Sequence, residues 1–183
     1  LAETSRDGGI AVTGNETVSG STVTKDAKDD ITVGGDQTVT GSTLTESSSE
    51  GGIAVTGSET VTDSQVTKKA KGDITVDGDQ TVTGSTLTET SSDGGIAVTR
   101  NETVSGSTVT KDAKGDITVG GNREVTGSTL TETSSDGGIA VTGNETISGS
   151  EVTKTAKNDI TVGGNQTVTG STLTETSSDG GIA

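Results

Sequence analysis

The sequence contains no cysteine, histidine, proline, methionine or aromatic residue. Without cysteine and histidine it has no thiol nucleophile, no Ser-His-Asp triad and none of the usual ligands of zinc or haem. An absence of cysteine also excludes disulfides. Carbohydrate-cleaving β-helices would use grouped carboxylates and aromatic platforms, whereas the carboxylates here are periodic. We therefore expect no enzyme activity, no catalytic residue and no cofactor in this segment.

Positive charge is scarce as well. The 183 residues carry 12 Lys and Arg against 27 Asp and Glu, a net charge of −15. Nucleic acid is therefore not an expected partner, because binding to phosphates requires a basic surface. No apolar run approaches the roughly 20 residues that cross a bilayer, so no membrane insertion is expected. Low hydrophobicity (24%) with high charge is typical of disordered chains, and only the order of the residues can decide against disorder.

The order of the residues is strongly repetitive. Isoleucines recur every 43 residues at Ile10, Ile53, Ile96, Ile139 and Ile182, and a second series lies between them at Ile31, Ile74, Ile117 and Ile160. Each 43-residue unit therefore consists of two related halves of 21 and 22 residues. Repetition at this period is typical of stacked structural coils, and we expect each half to form one coil.

Within each half the apolar residues keep the same four offsets. In the first two halves they are Ile10, Val12, Val18, Val23 and Ile31, Val33, Val39, Leu44. Thr, Ser and Ala flank them, which is the alternation expected of β-strands, and pairs such as Gly14-Asn15 mark turns between strands. One coil cannot bury four apolar side chains alone, but stacked coils place them in continuous ladders. The sequence predicts an all-β fold, a single-chain parallel β-helix (β-solenoid) with three short strands per coil.

Charged residues also alternate from coil to coil. The position after the last Thr of each coil forms a charge ladder of Lys25, Glu46, Lys68, Glu89, Lys111, Glu132, Lys154 and Glu175. A second column separates each Glu from the next and contains Glu16, Gln37, Glu59, Gln80, Glu102, Arg123, Glu145 and Gln166. Opposite charges one strand apart attract, whereas a column of like charges would repel. The alternation therefore explains why the repeat spans two coils.

A serine recurs two residues before the last apolar position of each coil. The series is Ser21, Ser42, Ser64, Ser85, Ser107, Ser128, Ser150 and Ser171. No general base accompanies it, so we expect these hydroxyls to point inward and bond to the backbone.

The turns contain irregularities and oxygen-bearing side chains. Arg100 replaces the glycine of the first turn, and we expect Asn101 to take any left-handed conformation there. Asp30, Asp36 and Asp79 could offer oxygens to calcium, but the Gly-Gly-X-Gly-X-Asp pattern of calcium β-rolls is missing. We expect no bound metal.

Outward threonines form a candidate binding face. It comprises Thr43, Thr45, Thr86, Thr88, Thr129 and Thr131 and resembles the Thr-X-Thr arrays of ice-binding solenoids. Gln65 and Glu151 interrupt the array, and β-propensity alone also selects Thr at such positions. Ice binding therefore ranks below a structural role.

The ends of the chain align with the interior of the repeat. Leu1 corresponds to Leu44, and Ile182-Ala183 begins another coil. Since solenoids require atypical caps, we expect residues 1–183 to be one continuous array without caps, a fragment of a longer repeat region.

The repeat unit resembles a known family. Residues 30–44, read as Asp-Ile-Thr-Val-Gly-Gly-Asp-Gln-Thr-Val-Thr-Gly-Ser-Thr-Leu, look like the haemagglutinin repeats of large secreted exoproteins, which include filamentous haemagglutinins and the stalks of contact-dependent inhibition toxins. The resemblance covers nearly the whole chain and implies a right-handed β-helix exported by two-partner secretion. It also implies a rigid stalk that holds an adhesive or toxic tip away from a bacterial surface.

These observations lead to one functional expectation and several alternatives. We expect a structural stalk or filament segment of an adhesin-like exoprotein, secreted or on the bacterial cell surface, whose partners are neighbouring repeats of the same chain. The main alternative is a self-assembling, amyloid-like β-solenoid fibre in which coils continue end to end between molecules. An ice-binding protein and a spike of a phage or secretion system rank lower.

Overall fold

The computed structural model describes residues 1–183 and contains 25 β-strands. It has no helix that could span a membrane. Successive strands belong in turn to three parallel sheets, here named A, B and C, so that every third strand returns to the same sheet. The protein is therefore an all-β parallel β-solenoid with about 21 residues per coil, as the sequence predicts.

Strand bounds repeat from coil to coil. Sheet A contains β1 (Ala2–Ser5), β4 (Thr22–Ala27), β7 (Thr43–Ser48), β10 (Gln65–Ala70), β13 (Thr86–Ser91), β16 (Thr108–Ala113), β19 (Thr129–Ser134), β22 (Glu151–Ala156) and β25 (Thr172–Ser177). Sheet B contains β2 (Ile10–Val12), β5 (Ile31–Val33), β8 (Ile53–Val55), β11 (Ile74–Val76), β14 (Ile96–Val98), β17 (Ile117–Val119), β20 (Ile139–Val141) and β23 (Ile160–Val162). Sheet C contains β3 (Glu16–Ser19), β6 (Gln37–Thr40), β9 (Glu59–Thr62), β12 (Gln80–Thr83), β15 (Glu102–Ser105), β18 (Arg123–Thr126), β21 (Glu145–Ser148) and β24 (Gln166–Thr169).

The pairing register follows the apolar pattern. Ile31 pairs with Ile53 in sheet B, and Val66 pairs with Leu87 in sheet A, so like residues stack on like. A shift by one residue would turn every apolar side chain of a strand outward, which fixes the register strongly. The predicted ladder through Val18, Val23, Ile31, Val33, Val39 and Leu44 is buried, and Ile10 and Val12 in the first coil are half-buried.

The apolar interior is divided into three separate ladders. One joins sheets C and A and runs from Val18 and Val23 to Ile147 and Val152. A second combines the isoleucines of sheet B with alanines that end the sheet A strands, such as Ala27. The third contains only the valines of sheet B, such as Val33. Polar side chains occupy the interior between these ladders, as described below.

The left-handed residue of each coil lies at the turn from sheet C to sheet A. Glycine occupies this place in seven coils, for example Gly106 with φ 58°, and Asp63 takes it in the remaining one with φ 49°. The turn at Arg100 contains no left-handed residue, since neither Asn101 nor Arg100 has a positive φ, so the conformation considered for Asn101 does not occur. The turn from sheet B to sheet C needs no left-handed residue, so Arg100 can replace glycine there without backbone strain.

Candidate functional site

The charge ladder and the second polar column face each other across the interior of the solenoid. The ladder lies on the inner side of sheet A, two residues beyond the last apolar position, and the second column begins the strands of sheet C. Lys25, Glu46, Lys68, Glu89, Lys111, Glu132 and Lys154 are all buried, and only Glu175 near the end is half-buried. Strand pairing sets Lys68 between Glu46 and Glu89, which confirms the predicted alternation.

The shortest ion pairs run across the interior rather than along the ladder. Each lysine of the charge ladder forms an ion pair with the glutamate nine residues earlier, on the facing sheet. Examples are Lys68 with Glu59 and Lys111 with Glu102, both at 2.5 Å. Contacts along the ladder are longer, at 3.0 Å between Lys25 and Glu46 and 3.7 Å between Lys111 and Glu89. The facing carboxylates therefore compensate the buried ammonium groups more closely than their neighbours in sheet A do.

Glutamine and arginine alternate with glutamate in the second column and connect both columns. Gln80 Nε2 donates to Glu59 at 2.8 Å and to Glu89 at 3.1 Å, while its Oε1 accepts from Lys111 Nζ at 2.9 Å. Arg123 replaces glutamine once. Its guanidinium binds the carboxylates of Glu102 at 2.6 Å and Glu132 at 2.6 and 2.7 Å. Hydrogen bonds of Gln80 and Arg123 thus join the charge ladder to the second column.

The ionisation of the interior carboxylates depends on their cationic partners. Burial acts to raise the pKa of Glu102, but Arg123 and Lys111 outweigh it and lower that pKa to about 2. Burial also opposes the charge of Glu145, and Arg123 together with Lys154 again lowers the pKa below its ordinary value. These carboxylates are held ionised by the cations that contact them.

The predicted serine series forms a ladder at the turn from sheet C to sheet A. Ser85 donates its backbone N–H to Ser107 Oγ at 3.1 Å, and Ser107 Oγ donates to the carbonyl of Ser105 at 2.7 Å. The same pattern continues through Ser42, Ser64, Ser128 and Ser150. These hydroxyls are bonded to backbone groups, as the sequence predicts.

The turn side chains considered for calcium are used in backbone bonds. Asp36 Oδ1 accepts the N–H of Ser58 at 2.8 Å, and Asp30 Oδ1 accepts the N–H of Gly52 at 2.7 Å, in both cases from the next coil. At the turn that contains Asp36, Asn and Asp side chains repeat this bond in other coils, for example Asn122 Oδ1 with the N–H of Asn144 at 2.8 Å. No group of three or more acidic residues has a metal-binding arrangement. The carboxylates therefore connect successive coils by hydrogen bonds.

The candidate Thr face lies on the outer side of sheet A. Thr43, Thr45, Thr88 and Thr131 are half-buried there, and Thr86 and Thr129 are exposed. Sheet C carries a second array that was not predicted from the sequence. Its outward positions hold Thr or Ser in every coil except at Glu124, as in Thr38/Thr40 and Thr81/Thr83. The two arrays are separated by a shallow groove lined by Gly, Ser and Thr together with Glu151.

Two features of this arrangement were not anticipated from the sequence. The burial of the charged columns could have been found by parity, because Lys25 lies two residues after the inward Val23 and must share its side of the strand. That the two columns face each other across the interior depends on the turn angles between sheets.

Comparison with known proteins adds no further guide, because no family model, curated protein or solved structure matches the chain.

Proposed function

We propose that the segment is a structural rod, serving as a stalk or filament segment of an adhesin-like exoprotein. The observation that carries this proposal is the unbroken register. Each of the three sheets runs through successive coils without a missing or inserted strand. A catalytic or binding site usually interrupts a repeat, whereas length and stiffness require only that it continue.

The polar chemistry of the chain supports the same proposal. The serine ladder, the Asn and Asp column and the interior ion pairs each connect one coil with the next. These bonds, added to the backbone ladder of each sheet, resist bending and unwinding. The partners that these bonds serve are therefore the neighbouring repeats of the same chain.

The proposed setting rests on the resemblance to haemagglutinin repeats. The order of strand, Gly-Asp or Gly-Asn turn, strand, Gly-Ser turn and strand is common to both, and the solenoid has the parallel topology that such repeats require. We therefore propose export by two-partner secretion and a position outside the cell, either secreted or on the bacterial surface. Surface labelling of the intact host cell, with a cytoplasmic protein as the negative control, tests this position.

Electron microscopy tests the rod itself. Sheet A stacks nine strands, which at roughly 4.8 Å per strand predicts a rod on the order of 40 Å long. Negative-stain images and light scattering across a concentration series should show discrete rods of that length. Unbranched filaments that grow with concentration would favour the self-assembling fibre, and collapsed particles without a rod shape would contradict both roles.

A further inference from the structure

Two successive repeat units differ in their interior charges at one position and can be compared directly. In the second unit Glu59 and Glu89 accompany Lys68 and the neutral Gln80, which leaves one carboxylate in excess. The third unit has Arg123 where the second has Gln80, so its two buried carboxylates meet two buried cations. The inward residues of the two units are otherwise the same.

The carboxylates at the end of these units differ accordingly in their contacts. Arg123 binds both oxygens of Glu132, with Nη1 to Oε2 at 2.7 Å and Nη2 to Oε1 at 2.6 Å. Glu89, which occupies the same place one unit earlier, receives one hydrogen bond, from Gln80 Nε2 to Oε1 at 3.1 Å. Its Oε2 is buried and has no hydrogen-bond donor, and Lys111 Nζ remains 3.7 Å away.

The cations around Glu89 are held more closely by other carboxylates. Lys68 contacts Glu59, and Lys111 contacts Glu102, each at 2.5 Å. The charged and polar groups that face Glu89 are Lys68 on β10, Lys111 on β16, Glu59 on β9, Gln80 on β12 and Glu102 on β15. An ionised carboxylate buried without a dedicated cation is costly, and protonation removes that cost.

We propose that the folded rod keeps a proton on Glu89 at pH values where an exposed glutamate is ionised, and that Arg123 replaces this proton in the third unit. The electrostatic surroundings of Glu89 agree with these contacts. Burial raises the pKa of Glu89, and the nearby Lys111 and Lys68 do not offset this effect. Proton binding at this place is independent of whether the rod is a stalk, because it follows from the interior alone.

The proposal predicts the direction of a pH effect. The folded pKa of Glu89 lies above the unfolded value of about 4.3, so the folded state binds the extra proton. The resulting stability is fully present below the unfolded pKa and is lost as pH rises through the folded pKa. Within that window the unfolding equilibrium constant rises about tenfold per pH unit for one proton.

Two variants and one matched control test the proposal by urea unfolding between about pH 4.5 and about pH 8. Glu89→Gln imitates the protonated side chain, so it should remove the Glu89 contribution to the pH slope and remain as stable as the wild type at neutral pH. Gln80→Arg should also remove that contribution and resist urea better. Glu132→Gln is the control and should weaken the rod throughout the range, because it removes a carboxylate that Arg123 binds.

Three results would overturn the proposal. One is a loss of stability in Glu89→Gln at neutral pH as large as that in Glu132→Gln. Another is a free energy of unfolding that depends on the kind of monovalent salt cation but not on pH. Such a result would mean that a cation rather than a proton balances the charge of Glu89. Should a variant fail to fold, carbon-13 NMR of the wild-type glutamate carboxyls still decides, since a Glu89 midpoint at or below about 4.3 contradicts proton binding.

Discussion

Ser107 illustrates how one hydroxyl joins two coils. Its Oγ accepts the N–H of Ser85 and donates to the carbonyl of Ser105, so it satisfies backbone groups on either side of the turn. A buried backbone N–H without a partner costs more than the net gain of the bond itself. The side chain is therefore retained for hydrogen bonding in every coil, although it contributes little apolar surface.

Replacing this hydroxyl should be measurably destabilising. We expect Ser107→Ala to lower the free energy of unfolding by about 1–3 kcal/mol, because the N–H of Ser85 loses its acceptor. Urea unfolding followed by circular dichroism measures the change. Ser105→Ala is the control, since Ser105 lies on the outer side of sheet C, and an equal effect in both variants would contradict a specific role for the ladder.

Backbone conformation at the turn from sheet C to sheet A gives a second test. Gly106 has φ 58°, and a Cβ added there would meet nothing within 4 Å. Gly106→Ala should therefore cost about 1–2 kcal/mol from left-handed strain alone. Gly14→Ala is its control, because Gly14 has the same free space without a positive φ. Similar thermal midpoints for the two variants would show that strain is not the cause.

The facing polar columns determine how sheets A and C fit together. Because their charged side chains are buried, they cannot be exchanged singly for apolar residues without leaving an opposite charge uncompensated. The same pairs separate the apolar interior into three ladders. Register between coils is therefore specified by charge as well as by apolar stacking, since a shifted coil would bring like charges together.

Lys68 provides the test of these columns. Lys68→Met removes the ammonium 2.5 Å from Glu59 and leaves this facing carboxylate buried without its cation, so we expect a loss of about 3–5 kcal/mol at neutral pH. The loss should diminish in acid, where a proton can replace the missing cation. Lys157→Met serves as the control, because the pair of Lys157 with Asp136 is exposed and should contribute almost nothing. Urea midpoints at two pH values measure both variants.

The whole rod has a two-coil period that deletions can reveal. Removing residues 53–95 takes out one complete 43-residue unit and keeps the alternation of both columns. Removing residues 74–95 takes out a single coil, which brings Lys68 next to Lys111 and Glu59 next to Glu102. Like charges one strand apart repel in a buried environment.

We expect the shorter deletion to be the more damaging one. The variant without residues 74–95 keeps more coils, yet it should unfold at a lower temperature than the variant without residues 53–95. Thermal unfolding by circular dichroism compares the two. A midpoint that follows coil number alone would show that the alternation of charge has no energetic role.

Much of this architecture could be read from the order of residues. The inward positions Ile31, Val33, Val39 and Leu44 and the inward serines followed from a period of two within strands and 43 between units. Both periods are local properties, because side chains alternate along any strand and identical coils stack in register. The alternation of Lys and Glu in neighbouring strands followed for the same reason.

The contacts across the interior required the folded chain. The turns set sheet C opposite sheet A, and this arrangement decides that Glu59 faces Lys68. The exchange of Gln80 for Arg123 one unit later has an energetic consequence only because both side chains lie in this interior. That the turn at Arg100 and Asn101 needs no left-handed residue also became clear only from the structure, since the φ of a turn residue depends on the angle between two sheets. Periodicity decides the side of a strand on which a residue lies, whereas the angles at the turns decide what it meets there.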